Sequence, residues 1–332
     1  MSCWFNPSKP QSTIAISARI RLARNIKGIP FPAQMTPEQF KTVNDLVKNA
    51  IYESDEPITK SLKYISMNDI PQIERFAMVE RHIISKNFAS NYQNRAIIIS
   101  DDESICIMIG EEDHIRIQVL FDGMQLEKAY NIANSIDKIL YSSLNIAFDS
   151  RIGFLTACPT NVGTGLRASV MLHLPMIGDN MKNFSNLITQ NGFTIRGMYG
   201  EGTKALASLY QISNQITLGM SENEAIKNLK MITNKAIEKE NMARRGTNKL
   251  TLEDKVMRSY GILKNARLLT SEELLSKISD VILGVGMGIV ECKTWPIELL
   301  VNTQPNMLMK KVGEISPYER DIERATMVRN SL

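Results

Sequence analysis

The patterning of this chain predicts an α+β fold, with antiparallel strands in its earlier part and helices after them. Three observations carry that expectation. Residues 13–22 alternate apolar and polar side chains, the period of a half-buried strand. Residues 96–99, 104–109 and 114–120 are rich in strand-forming residues and separated by acidic turns, as neighbouring antiparallel strands are. From Ser221-Glu222-Asn223-Glu224, a capping box, the pattern is helical nearly to the end.

In chain order, the first strand turns Ile14, Ile16, Ala18, Ile20 and Leu22 to one side, so Arg19 and Arg21 share the other. Thr36-Pro37-Glu38-Gln39 supplies a cap, a proline at the first helical position and a glutamine three after the cap, which opens a helix through about Tyr52. A helix over 126–144 follows the middle strands. Residues 154–157 read as a strand, followed by a Gly-rich loop and an apolar helical segment around 167–174. Another helix is expected to start near Thr203. The polar stretch 240–249, with Arg244-Arg245-Gly246-Thr247-Asn248, is the expected boundary between one domain over 1–240 and a helical domain over 250–332. Gly284-Val285-Gly286-Met287-Gly288 lacks the strand and helix that frame a dinucleotide loop and reads as a helix junction. No internal repeat is visible.

Composition narrows the function classes. A net charge of +4 over 332 residues implies neither a nucleic-acid footprint nor a polybasic membrane anchor. The N-terminus, Met1-Ser2-Cys3-Trp4-Phe5-Asn6-Pro7, has no basic region leading into an apolar core, and no uncharged apolar run is long enough to span a bilayer. A cytoplasmic protein is expected. Cys3, Cys106, Cys158 and Cys292 form no C-x-x-C, and His82, His114 and His173 are not spaced as metal ligands. Neither a disulfide framework nor a protein-held metal is expected, so any metal arrives with a nucleotide.

Three motifs carry chemistry. Glu111-Glu112-Asp113-His114-Ile115-Arg116 places carboxylates beside an arginine. A guanidinium is a planar cation that a carboxylate grips and deprotonates, whereas polyphosphate is best neutralised by arginines. Phosphoryl transfer to a guanidinium therefore needs both, and Glu112 with one distant acid would suffice. Arg196-Gly197-Met198-Tyr199-Gly200-Glu201 supplies that acid in Glu201, next to glycines that let backbone approach phosphate. The third motif is Cys158-Pro159-Thr160-Asn161-Val162-Gly163-Thr164-Gly165-Leu166-Arg167. Blander readings stand beside these: a solvated acidic turn, a Gly-containing turn ahead of a helix, and for Cys158 either a plain buried cysteine or a thiol tuned by loop amides and arginines. A P-loop and a protein-kinase signature are both missing.

Together with Ser17-Ala18-Arg19-Ile20-Arg21, these motifs resemble, in order, those of the phosphagen (guanidino) kinases, from about Ile14 to Gly219. Within that superfamily the chain most resembles the bacterial protein arginine kinases. Two departures from the small-molecule kinases point there. The first arginine motif begins at Ser17, without room for the helical domain that precedes it in those enzymes, and the chain runs on to Arg320-Asp321-Ile322-Glu323-Arg324-Ala325, similar to an R-D-x-x-R-A motif. Gly110 and Ala18 stand where the family often has Asn and Ser.

The resemblance implies a phosphagen-kinase-like catalytic domain, an antiparallel sheet flanked by helices, ahead of a helical domain that mediates dimerisation. It implies an ATP site lined by Ser17, Ala18, Arg19, Ile20, Arg21, His82, Arg116, Arg167, Ala168, Ser169, Val170, Met171 and Arg196 to Glu201. Glu112 and Glu201 would hold and deprotonate the target arginine, with Mg²⁺ accompanying ATP. His82 carries no local signal, and a surface-helix histidine is its plain reading. The implied substrates are unfolded proteins and a stress-gene repressor; the implied partners are a zinc-binding activator protein and the Clp unfoldase and protease. Arg320 to Ala325 are expected to recognise phosphoarginine, the helix opened by Ser316-Pro317-Tyr318-Glu319 placing Arg320 and Arg324 on one face with Asp321 beside them. An exposed helix with an Asp321–Arg324 pair is the alternative. A kinase of a free guanidino metabolite and a non-catalytic phosphoarginine-binding module are the rival functions.

Overall fold

The computed structural model describes residues 3–177, 181–197 and 206–332. Its strands are β1 (Ala15–Arg24), β2 (Leu62–Ser66), β3 (Ala96–Ser100), β4 (Ile105–Ile109), β5 (Ile115–Asp122), β6 (Phe148–Asp149), β7 (Gly153–Phe154), β8 (Leu166–His173), β9 (Phe193–Gly197) and β10 (Leu209–Asn214). Its helices are α1 (Pro37–Tyr52), α2 (Gln72–Glu80), α3 (Lys86–Ser90), α4 (Leu126–Ser143), α5 (Met181–Gln190), α6 (Glu222–Gly246), α7 (Lys249–Asn265), α8 (Ser271–Gly286), α9 (Pro296–Asn302), α10 (Pro305–Val312) and α11 (Pro317–Ser331). Eight strands form one sheet in the order β2-β3-β4-β5-β1-β8-β10-β9, with antiparallel pairing throughout, and β6 with β7 makes a separate hairpin. The fold is α+β, an antiparallel sheet flanked by helices and followed by a helical region.

Strand alternation gives the sheet two chemically distinct faces. Ala18, Ile20 and Leu22 of β1, Ile115, Ile117 and Val119 of β5, and Ala168, Val170 and Leu172 of β8 pack on one side against α1, α4 and α6. Each buried aliphatic side chain of this kind stabilises by about 1.5–3 kcal/mol, so this face holds sheet and helices together. The opposite face is divided. Over β3 and β4, Ile97, Ile99, Cys106 and Met108 cluster with Met78 of α2 and Phe88 of α3. At the far ends of the central strands, Ile16, Leu120, Met171 and Leu209 join the apolar cluster of the C-terminal helices, which includes Leu274, Ile278 and Ile282 of α8. Between these two clusters lies a polar strip.

Local signals set several element ends. Thr36 Oγ1 accepts from Gln39 N while Gln39 Oε1 accepts from Thr36 N, and Ser221 with Glu224 repeats the arrangement at α6. Other expectations need correction. Residues 167–174, expected to be helical, form β8: Ala168, Val170 and Leu172 recur every second position, and pairing with β1 and β10 satisfies the strand backbone on both sides. Of the strand expected over 154–157, only Gly153–Phe154 forms. The helix expected near Thr203 would start outside the described residues, and Leu209–Asn214 beyond them is a strand. The boundary expected at 240–249 is not among these corrections: α6 ends at Gly246 inside that stretch, and Asn248 then caps α7. Glu240 is fully buried there, accepting from Arg244 Nε at 2.8 Å and from the backbone N–H groups of Met176 and Ile177.

The three glycines from Gly284 to Gly288 close the end of α8. A Cβ on Gly284 would lie 2.4 Å from Val256 Cγ1 of α7, so glycine there is what lets α7 and α8 approach. The helical region meets the rest of the chain at α2 and α10. Glu80 accepts from Asn306 N, Asn306 Nδ2 and Met307 N at 3.0, 2.7 and 2.8 Å, capping α10, and Lys310 pairs with Glu74 at 2.7 Å.

Candidate active site

The polar strip is built by register. Arg19 stands opposite Ser169, Arg21 lies between Gln118 and Arg167, and Arg196 of β9 stands opposite Gln211 of β10. Residues directly opposite in a sheet point to the same side. Arg19, Arg21, Arg116, Arg167 and Arg196 therefore converge on one cavity of about 640 Å³, walled also by His82, Gln118, Gly197, Gln211 and Ser213, with Gln304 and Pro305 at its edge. That volume is in the range of nucleotide-sized sites.

The arginines crowd one another. Burial, then Arg116 and Arg167, pull the Arg19 guanidinium down to about 9, and burial with Arg19, Arg116 and Arg167 holds Arg21 well below the usual arginine range. Arg21 Nε and His82 Nε2 are buried with no hydrogen-bond partner in the protein. Half-buried cations and orphaned polar atoms in one cavity fit an anion with several oxygens, and ATP meets that test.

A smaller cavity of about 60 Å³ shares Arg21, Arg116 and Arg167 with the first and adds Glu111, Glu112 and Asp113. The three acids differ in what they do. Glu111 Oε1 accepts from Ser85 Oγ at 2.6 Å, and its Oε2 accepts from Glu112 N and pairs with Arg116 Nη1 at 2.9 Å, so Glu111 fixes the turn and the arginine. Asp113 accepts from Asn25 Nδ2 and Ala157 N, each at 2.7 Å, tying this turn to the segment before Cys158. His114 completes the frame, accepting from Ile26 N at Nδ1 while Nε2 donates to the Pro30 carbonyl. Glu112 remains exposed. Partial burial of the carboxyl group, then the charges of Asp113 and Glu111, push it up; the Cys158 thiol shares a hydrogen bond with Thr160 Oγ1 at 3.0 Å. The acidic triplet is thus not a solvated turn: Glu111 and Asp113 are buried.

The glycines of the 158–167 loop permit close backbone approach. A Cβ on Gly163, at φ +110°, would lie 2.3 Å from the Thr217 carbonyl oxygen, and one on Gly165 would lie 2.6 Å from Arg24 Nη1. Arg24 is itself fixed, making two hydrogen bonds to Asp137 at 2.8 and 2.7 Å with Phe154 against its guanidinium.

Of the residues expected at an ATP site, Arg19, Arg21, His82, Arg116, Arg167, Arg196 and Gly197 line the larger cavity, and Ser17, Ser169 and Met171 line a small extension beside it. Ala18, Ile20, Ala168 and Val170 turn their side chains into the core on the other face. Met198, Tyr199, Gly200 and Glu201 lie outside the described residues. His82 is not on a helix surface; it follows α2 in a left-handed turn, φ 62°. Arg320 to Ala325 sit in α11 and line neither cavity, and Arg324 is buried, donating to Thr303 O, Leu269 O and Asp321 Oδ1 at 3.0, 2.8 and 2.5 Å. Arg320 and Asp321 are half-buried.

Residues 42–243 match the family model of the ATP:guanido phosphotransferase C-terminal catalytic domain, and residues 249–332 match the C-terminal domain of protein-arginine kinase McsB. The protein-arginine kinase of Clostridium acetobutylicum is 44% identical over the whole of both chains, and that of Pelotomaculum thermopropionicum is 42% identical over 99% of this chain and 95% of its own. The chain belongs to the protein-arginine kinases of the ATP:guanido phosphotransferase family. Among solved structures, a lombricine kinase superposes with a TM-score of 0.61 at 25% identity, covering 71% of this kinase and 68% of that chain. The duplicated taurocyamine kinase from Schistosoma mansoni gives 0.64 at 24%, over 82% of this chain and 41% of that one, a likeness of fold.

Ser85, Gln118, Gln211, Ser213 and Gln304 line the kinase's main cavity without having been expected from sequence. Gln118 follows Arg116 by two on β5, so strand period alone points to it. Gln211 and Ser213 reach the cavity by long-range strand pairing, and Ser85 and Gln304 by the packing of the helices they precede, which no local signal marks.

Proposed function

We propose that this kinase transfers the γ-phosphoryl group of ATP to arginine side chains of proteins. One observation carries the reading: the carboxylate pocket and the arginine cavity share Arg21, Arg116 and Arg167, so a guanidinium beside Glu112 faces a phosphate held by those arginines. The names of the full-length relatives support a protein substrate. In the reaction a bond forms between a guanidinium nitrogen and the γ-phosphorus, the bond from that phosphorus to the ADP oxygen breaks, and the guanidinium proton passes to a carboxylate. Glu112, whose carboxyl burial and the neighbouring Asp113 and Glu111 push up, accepts that proton, and Glu201 is the second carboxylate by the match of its motif. The arginines neutralise charge on a loose transition state, so most of the catalysis is positioning and electrostatics. Mg²⁺ bound with ATP would supply further charge neutralisation.

By the same resemblance the kinase works in the cytoplasm as a homodimer, marks proteins for the Clp unfoldase and protease, acts on a stress-gene repressor and answers to a zinc-binding activator, with Arg320 to Ala325 recognising phosphoarginine. Residues 1–240 and 250–332 are its catalytic and helical domains. No helix among the described residues is long and apolar enough to cross a membrane. Incubation with labelled ATP and either free arginine or an unfolded protein tests the central reading. Acid-labile, arginine-linked phosphate on the protein and not on the free amino acid is expected. Label on free arginine alone would make the substrate a metabolite, and label on neither would leave a binding module.

A further inference from the structure

We infer that Trp4 and Gln118 are positioning residues that hold His82 in the wall of the nucleotide cavity. The inference rests on the reading of that cavity as an ATP site. His82 adopts a left-handed backbone, φ 62°, a conformation uncommon for residues with a Cβ. Both flanking carbonyls are pinned by side chains from far away in sequence. Trp4 Nε1 donates to the Arg81 carbonyl at 2.8 Å, and Gln118 Nε2 donates to the carbonyls of His82 and Ile83 at 2.9 and 2.8 Å. Trp4 also sets its indole edge-on to the imidazole, with ring centroids 5.4 Å apart. Trp4 and Gln118 are 6% and 4% exposed, so water does not compete for these bonds.

The turn so held presents one unsatisfied group. His82 Nε2 is buried without a partner, and the residue lines the cavity together with Arg19 and Arg21. Burial and the charge of Arg19 pull the imidazole down to about 3, so it is neutral and adds a polar contact rather than a further cation. Its chemistry suits a polar atom of the nucleotide, while the arginines take the phosphate charge. Trp4 thereby gives the N-terminal segment a role at the active site, which it reaches by folding beneath β1 and β5 beside Leu120 and Met171.

The chain has two tryptophans, Trp4 and Trp295, so Trp295→Phe leaves Trp4 as the sole reporter. Titration of that variant with ADP is expected to change its emission, with calorimetry measuring the same affinity. Trp4→Phe keeps an aromatic edge and loses only the N–H donor. We expect Trp4→Phe to raise the Kd for ADP and the KM for ATP about fivefold or more, with kcat at saturating ATP within about twofold, and Gln118→Ala, itself in the cavity wall, to raise the same two constants. In a His82→Gly background, which removes the positioned ring, the effect of Trp4→Phe should vanish. A purely structural role would lower the melting temperature without that coupling. Nucleotide affinity unchanged in both folded variants, or an undiminished Trp4→Phe effect in the His82→Gly background, would overturn the assignment. If the parent protein itself fails to bind ADP or ATP, the reading of the cavity falls, a result distinct from loss of coupling.

Discussion

Arg21 of β1 stands directly opposite Arg167 of β8, two cations side by side on neighbouring strands with Gln118 on the other flank of Arg21. Like charges placed opposite one another in a sheet repel, and Arg19, on the same face of β1, adds to the repulsion on Arg21. The arrangement is costly until an anion enters. Arg21→Met should therefore stabilise the nucleotide-free protein by about 1–3 kcal/mol while removing the thermal shift that ATP gives the wild type. Calorimetric melts with and without ATP check this; a variant less stable than wild type, or one that keeps its ATP shift, contradicts it. Arg21→Lys should also weaken binding, since a point charge lacks the planar fork.

Glu112→Gln keeps shape and loses the proton acceptor. We expect kcat to fall at least about a hundredfold, equivalent to roughly 3 kcal/mol, with ADP affinity nearly unchanged. Glu201→Gln should behave alike.

The pH profile follows from the direction of the Glu112 shift. Burial and the charges of Asp113 and Glu111 raise its carboxyl, and only the deprotonated form accepts a proton. The acid limb of kcat/KM should therefore fall away at a higher pH than an ordinary glutamate would give. A limb lying at or below the usual carboxylate range would sink the role assigned to Glu112.

Arg324 and Arg320 should respond differently to truncation. Arg324, 1% exposed, ties α11 to Thr303 and Leu269, so Arg324→Ala should cost about 3 kcal/mol by leaving buried carbonyls and Asp321 unpaired. Arg320→Ala, at a half-buried position, should stay within about 1 kcal/mol of wild type and weaken phosphoarginine binding. Urea unfolding and calorimetry with phosphoarginine separate the two. Equal destabilisation by both changes would contradict the packing described.

Gly163→Ala meets a backbone atom, not a mobile side chain, at 2.3 Å and in a left-handed conformation. We expect a loss of about 2 kcal/mol or more, with reduced activity because the loop leads into Arg167. Gly219→Ala, at φ +76° with nothing within 4 Å, is the control and should cost only about 1 kcal/mol.

How much was legible depended on how local the determinant was. The Thr36 and Ser221 capping boxes, the strands expected over 96–99, 104–109 and 114–120 and the helix expected over 126–144 followed from hydrogen bonds and periodicities within a few residues. β8 was misread as a helix because its apolar side chains fit more than one short period, and only the strands on either side settle which. The 240–249 stretch reads as a polar boundary because its charges are plain in sequence, whereas the pairing that buries Glu240 with Arg244 is not.

For the site, sequence alone determined which residue types are present and, through the two-residue period, that Arg19 and Arg21 share a face. Motif order pointed to guanidinium phosphorylation. Tertiary structure decided which of those residues meet: register across β5, β1, β8, β10 and β9 gathers five arginines, sends Ala18, Ile20, Ala168 and Val170 to the core, and brings Trp4 beneath His82. It also decided that Arg324 is buried rather than offered to solvent. The reason is physical: a side chain's direction follows from its own strand or helix, but its neighbours follow from pairings between segments up to a hundred or more residues apart, which only the closed chain makes.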